Sequence, residues 1–197
     1  DTLLILEHPP VFTLGRRGGR ENLRVSDEFL NQSGVRVIQA ERGGNITFHG
    51  PGQLVVYLIY DLEAARMGVN DYVEQLEEIM IRIANDRKIR AERNDTNRGI
   101  WVGSNKIGSI GIAIRKGISF HGLALNVNLS LDPFSWINPC GLQNIGMTSL
   151  QKESEQSVSM PEIRKAFKRH FGAVFGAKLK TVTFVEMQKL LKDENKT

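Results

Sequence analysis

The stretch ERGGNITFHGPGQLVVY, residues 41–57, decides how the rest of the chain is read. It packs an arginine, four glycines, a proline and a histidine into one short span. It then hands over to an apolar run, Leu54 to Tyr60, with the composition of a buried strand. Pro51 between Gly50 and Gly52 marks a tight turn just ahead of that strand. A glycine-rich loop carried on a rigid strand is a common way to present a site, and it makes Arg42 and His49 site candidates. The plainer alternative is a long turn in which both are merely solvated.

The chain has 197 residues, near the size of one ordinary domain, and 41% apolar and 24% charged residues, the balance of a soluble globular protein. It contains no apolar run near the ~18–20 residues of a membrane helix, and no basic-then-apolar leader opens it. The expected location is therefore cytoplasmic. Asp1 runs straight into Leu3-Leu4-Ile5-Leu6, which suggests that a few residues precede it in the natural protein. The net charge of +4 favours acidic partners mildly, and no basic run interleaved with aromatics points to nucleic acid. A single cysteine, Cys140, excludes an internal disulfide and fits a reducing compartment. The four histidines and this cysteine show no metal-ligand spacing, so no metal is expected.

Working outward, residues 3–6 and 11–14 flank His8-Pro9-Pro10 and read as short strands broken by a stiff turn. Residues 15–24 form a glycine- and arginine-rich loop, Ser26 is placed to cap a short helix through Leu30, and 35–39 return as a strand. Asn70 or Asp71 caps the clearest helix, where Val73, Leu76, Ile79, Met80 and Ile83 recur at helical spacing. Glu74, Glu77 and Glu78 sit toward its N-terminal half, where negative charge complements the helix dipole. Strands follow at 89–92, 99–102, 106–114 and 119–127, with hairpin turns at 103–105 and 115–117. Residues 131–150 read as loop. Ser159, Pro161 and Glu162 open a helix in the manner of a capping box, with Ile163, Phe167, Phe171 and Val174 on its buried side. A last strand is expected at 179–184 and a short helix at 185–191. The fold class is α+β, with strands dominating the centre and helices on either side, in one domain spanning 1–197.

Two residues stand out chemically. Cys140 lies in Asn138-Pro139-Cys140-Gly141. A lone cysteine is more often a small buried hydrophobe than a nucleophile, but a turn position beside a base is where nucleophilic cysteines sit. Lys106 opens Lys106-Ile107-Gly108-Ser109-Ile110-Gly111, whose glycines weaken a strand unless something must come close. It is either a surface lysine on a hairpin or an ammonium aimed into a cleft of bare backbone. His49 and His121 each precede a glycine, as cleft residues often do, while His170 reads as solvated.

Four motifs come in one order: Arg42-Gly43-Gly44-x-x-Thr47-Phe48-His49-Gly50-Pro51-Gly52-Gln53-Leu54-Val55; Lys106-Ile-Gly-Ser-Ile-Gly; Phe120-His121-Gly122-Leu123-Ala124-Leu125-Asn126; and Asn138-Pro139-Cys140-Gly141. Together they resemble the octanoyltransferases of lipoate synthesis, the lipoyl(octanoyl) transferase family often called LipB. The resemblance is strong from His8 to about Gly141 and looser beyond it. Phe48 stands where the family usually has Tyr, and Leu58 where a Pro commonly follows the strand's Tyr.

The resemblance implies the fold of lipoate and biotin protein ligase catalytic domains, a large mixed sheet with a smaller one and flanking helices. It implies transfer of an octanoyl group from acyl carrier protein to a lysine of a lipoyl domain, through a thioester on cysteine and with no cofactor. The acceptors would be the E2 subunits of 2-oxoacid dehydrogenases and the glycine cleavage H protein. Cys140 matches the family's nucleophile and Lys106 the lysine that activates it. Arg42, Gly43, Gly44, Asn45, Ile46, Thr47, Phe48 and His49 match acyl-binding positions. So do the turn Ser109, Ile110, Gly111 and the segment Gly122, Leu123, Ala124.

These residue types suit that reaction. A thiol of pKa ~8.5 is only a few per cent thiolate at neutral pH. An ammonium ~4 Å away contributes roughly 4 kcal/mol at most, about three pKa units, which makes the thiolate the majority form. Thioester exchange is nearly balanced and thioester to amide runs downhill, so no ATP is needed, and the chain has no G-x-x-x-x-G-K loop. Backbone N–H groups around Gly111 and Gly122 are candidates for the oxyanion, and Gly43, Gly44, Gly122 and Ala124 for an acyl slot. Two competing readings are an ATP-dependent lipoate or biotin ligase of the same fold, and a non-catalytic module that binds acyl groups or lipoyl domains.

Overall fold

The computed structural model describes residues 1–94, 97–139 and 145–194. The chain opens with β1 (Thr2–Leu6), β2 (Val11–Leu14), α1 (Asp27–Gln32), β3 (Arg36–Gln39), β4 (Ile46–His49) and β5 (Gln53–Asp61). After α2 (Val69–Asn85) come β6 (Glu92–Arg93), β7 (Gly99–Val102), β8 (Asn105–Arg115) and β9 (Ile118–Asn126). The described C-terminal part holds β10 (Gly146–Met147), α3 (Leu150–Glu153), α4 (Met160–Phe175) and α5 (Phe184–Glu194). The large sheet runs β1-β5-β9-β8-β7-β6, antiparallel throughout, with β10 added parallel to β8. A smaller sheet, β3-β2-β4, pairs β2 parallel to β3 and antiparallel to β4. This is the expected α+β architecture of a large mixed sheet, a small sheet and flanking helices.

Alternation on the strands explains the layering. Leu54, Val56 and Leu58 of β5 and Leu123 and Leu125 of β9 join the core that α2 and α4 cover. Ile79, Met80 and Ile83 of α2 are fully buried there, each contributing roughly 1.5–3 kcal/mol of apolar burial. A second core lies with the small sheet, where Phe12, Ile46 and Phe48 pack with Phe134 and Ile137. The turn Gly50 to Gly52 carries the chain from one sheet to the other. It is pinned because Glu7 accepts from Gly52 N at 2.8 Å, and Gly52 O accepts from Val127 N and Asn128 N.

The structure departs from the sequence reading in several places. The motif stretch is not all loop, since residues 46–49 form β4. α2 begins at Val69 behind Gly68, so Asn70 and Asp71 lie inside its first turn rather than at the cap. Ser159 is the N-cap of α4, but its side chain makes no capping bond, so the helix start rests on Pro161 and its acidic first turn. Residues 179–184 form no strand: Leu179 and Val182 have β-type composition but no neighbouring strand to pair with, and both are exposed. The strand expected at 89–92 shrinks to Glu92–Arg93, because Ile89 and Ala91 are drawn into the helix-side core.

Candidate active site

The face of the large sheet away from α2 and α4 carries the candidate site. Across it Tyr57 pairs with Gly122, Gly122 with Gly111, and Ala124 with Ser109. These small residues leave a low floor. Ser109 to Gly111 is strand interior rather than the expected turn, and Ile110 and Leu123 face the helix-side core. Gly122 is paired on both sides, with Tyr57 and with Gly111, so its backbone belongs to the sheet.

Over this floor lies the Arg42-Gly43 segment, held by Gly43 N donating to Ile112 O at 2.8 Å. A side chain on Gly111 would start 3.0 Å from Arg42 Cδ, so the bare backbone lets the arginine cross β8. The Arg42 guanidinium is buried and donates to Thr13 O at 2.6 Å, to Thr13 Oγ1 and to Gly43 O, which clips the loop to β2. Gly44 sits at φ +84°, a backbone conformation that favours glycine, and a Cβ there would lie 3.6 Å from Arg42 Nη1. Asn45 Oδ1 accepts from Ile46 N at 2.6 Å and shapes the start of β4. Ile46 and Phe48 point into the second core, and Thr47 and His49 take the opposite and terminal positions of β4.

Beside the loop is an aromatic and histidine cluster. His8 Nε2 and Tyr57 OH are 2.5 Å apart, the rings of His8 and His49 are 5.7 Å apart, and Tyr57 meets His121 edge-on at 5.8 Å. Strand parity would place His121 on the core face with Leu123. Its left-handed backbone, φ +61°, accompanies its turn to the Tyr57 side. Strain of this kind at a non-glycine residue is typical of functional positions.

A relay of buried amides orients His49. Gln53 Nε2 donates to Phe48 O at 3.2 Å and to Asn126 Oδ1 at 2.9 Å, and Asn126 Nδ2 donates to Thr148 O at 2.9 Å. With its nitrogen so committed, Gln53 presents Oε1 to His49 Nδ1 at 2.7 Å. His49 is therefore protonated on Nδ1, leaving Nε2 as the lone-pair nitrogen. Burial pushes the His49 pKa down to about 4, with Arg42, His8 and His121 adding to the effect and the Gln53 bond opposing it. Burial also lowers His8, and burial and Arg42 lower His121, so the cluster is neutral at pH 7.

This has a measurable consequence. The unfolded histidine titrates near 6.5 and binds a proton that the folded one refuses, so stability falls as pH drops below ~6.5 and levels off near 4. The gap corresponds to roughly 3 kcal/mol for His49 alone. Urea unfolding at pH 7 and 4.5 should show a clearly smaller acid loss for a His49→Gln protein than for the parent. Parallel losses would mean His49 is not the buried titrating group.

Lys106 reaches the site face through a bulge. Ile100 pairs with Gly108 but Trp101 with Lys106, so β8 carries one extra residue. Ile107 and Gly108 then both serve the core side while Lys106 falls opposite Trp101. The lysine is only 2% exposed, which rules out the surface-hairpin reading. Its ammonium donates to Asn97 Oδ1 and to Arg98 O at 2.8 Å and lies 5.3 Å from the centre of the Trp101 ring. Asn97 is itself held by Trp101 Nε1 and by Asn94. Cys140 lies outside the described residues. The chain leaves them at Pro139 and returns at Ile145, two residues before Met147, which pairs with Lys106. Among the described residues no group of His, Cys, Asp and Glu is arranged to hold a metal ion, and no helix is long and apolar enough to cross a membrane.

The sequence singles out the loop, His49, His121 and Lys106, while His8, Tyr57, Gln53, Asn126, Asn97 and Trp101 come forward only through their contacts in the structure. Gln53 and Asn126 had a signal, since each is a polar residue abutting an apolar strand run.

The seven-stranded sheet with its three-stranded companion has the fold of lipoate and biotin protein ligases. Lipoate-protein ligase A bound with ATP superposes with a TM-score of 0.74 at 19% identity, covering 94% of this chain and 78% of that one. A structure from an archaeal lipoylation system, a bi-partite lipoate protein ligase and its E2 lipoyl domain from Thermoplasma acidophilum, gives 0.75 at 19% identity, covering 98% and 78%. Biotin protein ligase from Aquifex aeolicus, with biotin and ATP, gives 0.57 at 11%, covering 83% and 70%. The chain belongs to the lipoyl protein ligase A/B catalytic domain family, whose pattern matches residues 1–172, and within it to the octanoyltransferases. It is 52% identical to an octanoyltransferase of Desulfotalea psychrophila over 178 residues, 89% of this chain and 80% of the relative. A Caldicellulosiruptor bescii octanoyltransferase is 45% identical over 194 residues, 98% of this chain and 85% of the relative. The protein is an acyltransferase.

Proposed function

We propose that the protein moves an octanoyl group from acyl carrier protein to a lysine of a lipoyl domain through a thioester on Cys140, in a reducing compartment. The observation that carries this reading is Lys106, an ammonium buried at 2% exposure and delivered by a bulge beside a floor of Ser109, Gly111, Gly122 and Ala124. A buried ammonium favours an anion nearby, and the segment carrying Cys140 returns to the sheet beside it. The thiolate attacks the carrier's thioester, the carrier leaves as its own thiol with a proton from the Lys106 ammonium, and the acceptor amine then displaces Cys140. The amine gives up its proton to the now neutral Lys106 as the amide forms. The apolar floor suits a medium acyl chain, and the net charge of +4 suits acidic protein partners.

Incubating the protein with octanoyl-carrier protein and no nucleotide, then mapping it by mass spectrometry, tests the reading. An octanoyl adduct on Cys140 that disappears when a lipoyl domain is added is the expected result. Modification of the lipoyl domain only in the presence of ATP, with no adduct on Cys140, would replace it with ligase chemistry.

A further inference from the structure

We propose that Glu77, buried in the middle of α2, is a positioning residue for the Lys106 ammonium and acts through the single peptide unit that joins Arg98 to Gly99. The proposal rests on the reading that Lys106 serves the Cys140 thiol.

Glu77 belongs to the apolar stripe of its helix, four residues after Val73 and three before Met80, and it is fully buried. A carboxylate placed there for the helix dipole would face water, as Glu74 does. Instead its Oε1 accepts from Gly99 N at 2.8 Å. The carbonyl of that same peptide, Arg98 O, accepts from Lys106 Nζ at 2.8 Å. An anion, one peptide dipole and a cation thus stand in line. Each bond polarises the peptide in the sense that strengthens the other, because negative charge at N–H makes the carbonyl a better acceptor. The second carboxylate oxygen makes no hydrogen bond among the described residues, but Arg93 Nε and Arg98 Nη1 lie at 3.5 and 3.6 Å.

Gly99 is shaped for this arrangement. It sits at φ +121°, and a Cβ there would lie 2.3 Å from Gly108 O and 2.9 Å from Lys106 Cε. Only glycine lets the start of β7 press against both the carboxylate and the lysine stem. The Trp101 face and Asn97 Oδ1 hold the ammonium from other sides. Glu77 stands behind the one clamp atom that belongs to the backbone. It touches no reacting group, so its effect must pass through Lys106.

Two substitutions separate its parts. Glu77→Met fills the same volume with no acceptor, and Glu77→Gln keeps an acceptor oxygen for Gly99 N–H without the charge. Lys106 labelling by acetic anhydride, followed by mass spectrometry against other lysines as internal standards, reads the clamp without involving Cys140. The pH dependence of Cys140 alkylation reads the consequence, with Lys106→Ala as reference and thermal unfolding as a check on fold. Labelling of Lys106 should rise roughly tenfold in Glu77→Met and stay within about twofold of the parent in Glu77→Gln. The alkylation curve of Glu77→Met should move toward that of Lys106→Ala. A lowered melting temperature with unchanged Lys106 labelling would leave Glu77 a purely structural residue and overturn the proposal. Tenfold faster labelling in a folded Glu77→Gln protein, which keeps the acceptor, would assign the hold on Lys106 to the bare charge and overturn the hydrogen-bonded Arg98–Gly99 peptide as its route. If Lys106→Ala leaves Cys140 alkylation unchanged while Glu77→Met frees Lys106, the clamp stands and the Cys140–Lys106 pairing falls.

Discussion

Octanoyl transfer should fall below detection in a Cys140→Ala protein, while its melting temperature should stay within a few degrees of the parent. Cys140 is the chain's only thiol, so no other side chain can carry a thioester. Serine or threonine in its place would need a stronger base, because a hydroxyl is far less acidic than a thiol of pKa ~8.5. The direct route, attack of the acceptor lysine on the carrier thioester, would have to bring two proteins together at one site simultaneously. The covalent intermediate removes that requirement by letting donor and acceptor use the site in turn. The measurement is transfer from octanoyl-carrier protein to a lipoyl domain, followed by mass, with and without ATP. Parental transfer without nucleotide in the variant would end the thioester mechanism, and transfer only with ATP would move the protein to ligase chemistry.

The part of the fold that the sequence makes legible is the part with strong periodicity. β5, β8 and β9 each run nine residues or more, and α2 shows an apolar stripe over 17, so their patterns outweigh local noise. β10 is two residues long and pairs in parallel with residues 41 positions earlier, Gly146 with Asn105 and Met147 with Lys106, so no local pattern announces it. Residues 179–184 show the opposite failure, since β-branched composition describes what a sheet would accept and not whether a neighbour exists. At the site, the glycine motif and Lys106 are local signals. Burial of Lys106 is not, because it depends on one extra residue in β8 and on the peptide at Arg98. His121 reaches Tyr57 through a positive φ that histidine composition does not encode. The sequence reading groups Glu77 with Glu74 and Glu78 as acids that complement the helix dipole, although its spacing from Val73 and Met80 puts it on the buried stripe; periodicity holds the better signal there.

A Lys106→Met protein should keep its stability and lose its chemistry. Methionine matches the lysine stem in length and leaves no ammonium in a site of 2% exposure. Unpairing Arg98 O and Asn97 Oδ1 costs about 1–3 kcal/mol for each group that finds no water. Removing a desolvated cation returns a similar amount, so the melting temperature should move little in either direction. Activity has no such compensation. Without the cation the Cys140 thiol reverts toward ~8.5, and the thiolate fraction at pH 7 falls to roughly 3%, about thirtyfold below a majority thiolate. Loss of the lysine as a proton carrier for the incoming amine adds another ten- to hundredfold by general acid–base arguments. Transfer at pH 7 should therefore drop by roughly 300- to 3,000-fold. Raising the pH to 9 should recover the ionisation part and leave the proton-transfer part missing. Cys140 alkylation followed from pH 5 to 10 should shift upward by one to three units, about the range that one nearby charge can supply. An alkylation curve that overlays the parent's, in a protein equally stable, would show that the buried ammonium acts on something other than Cys140.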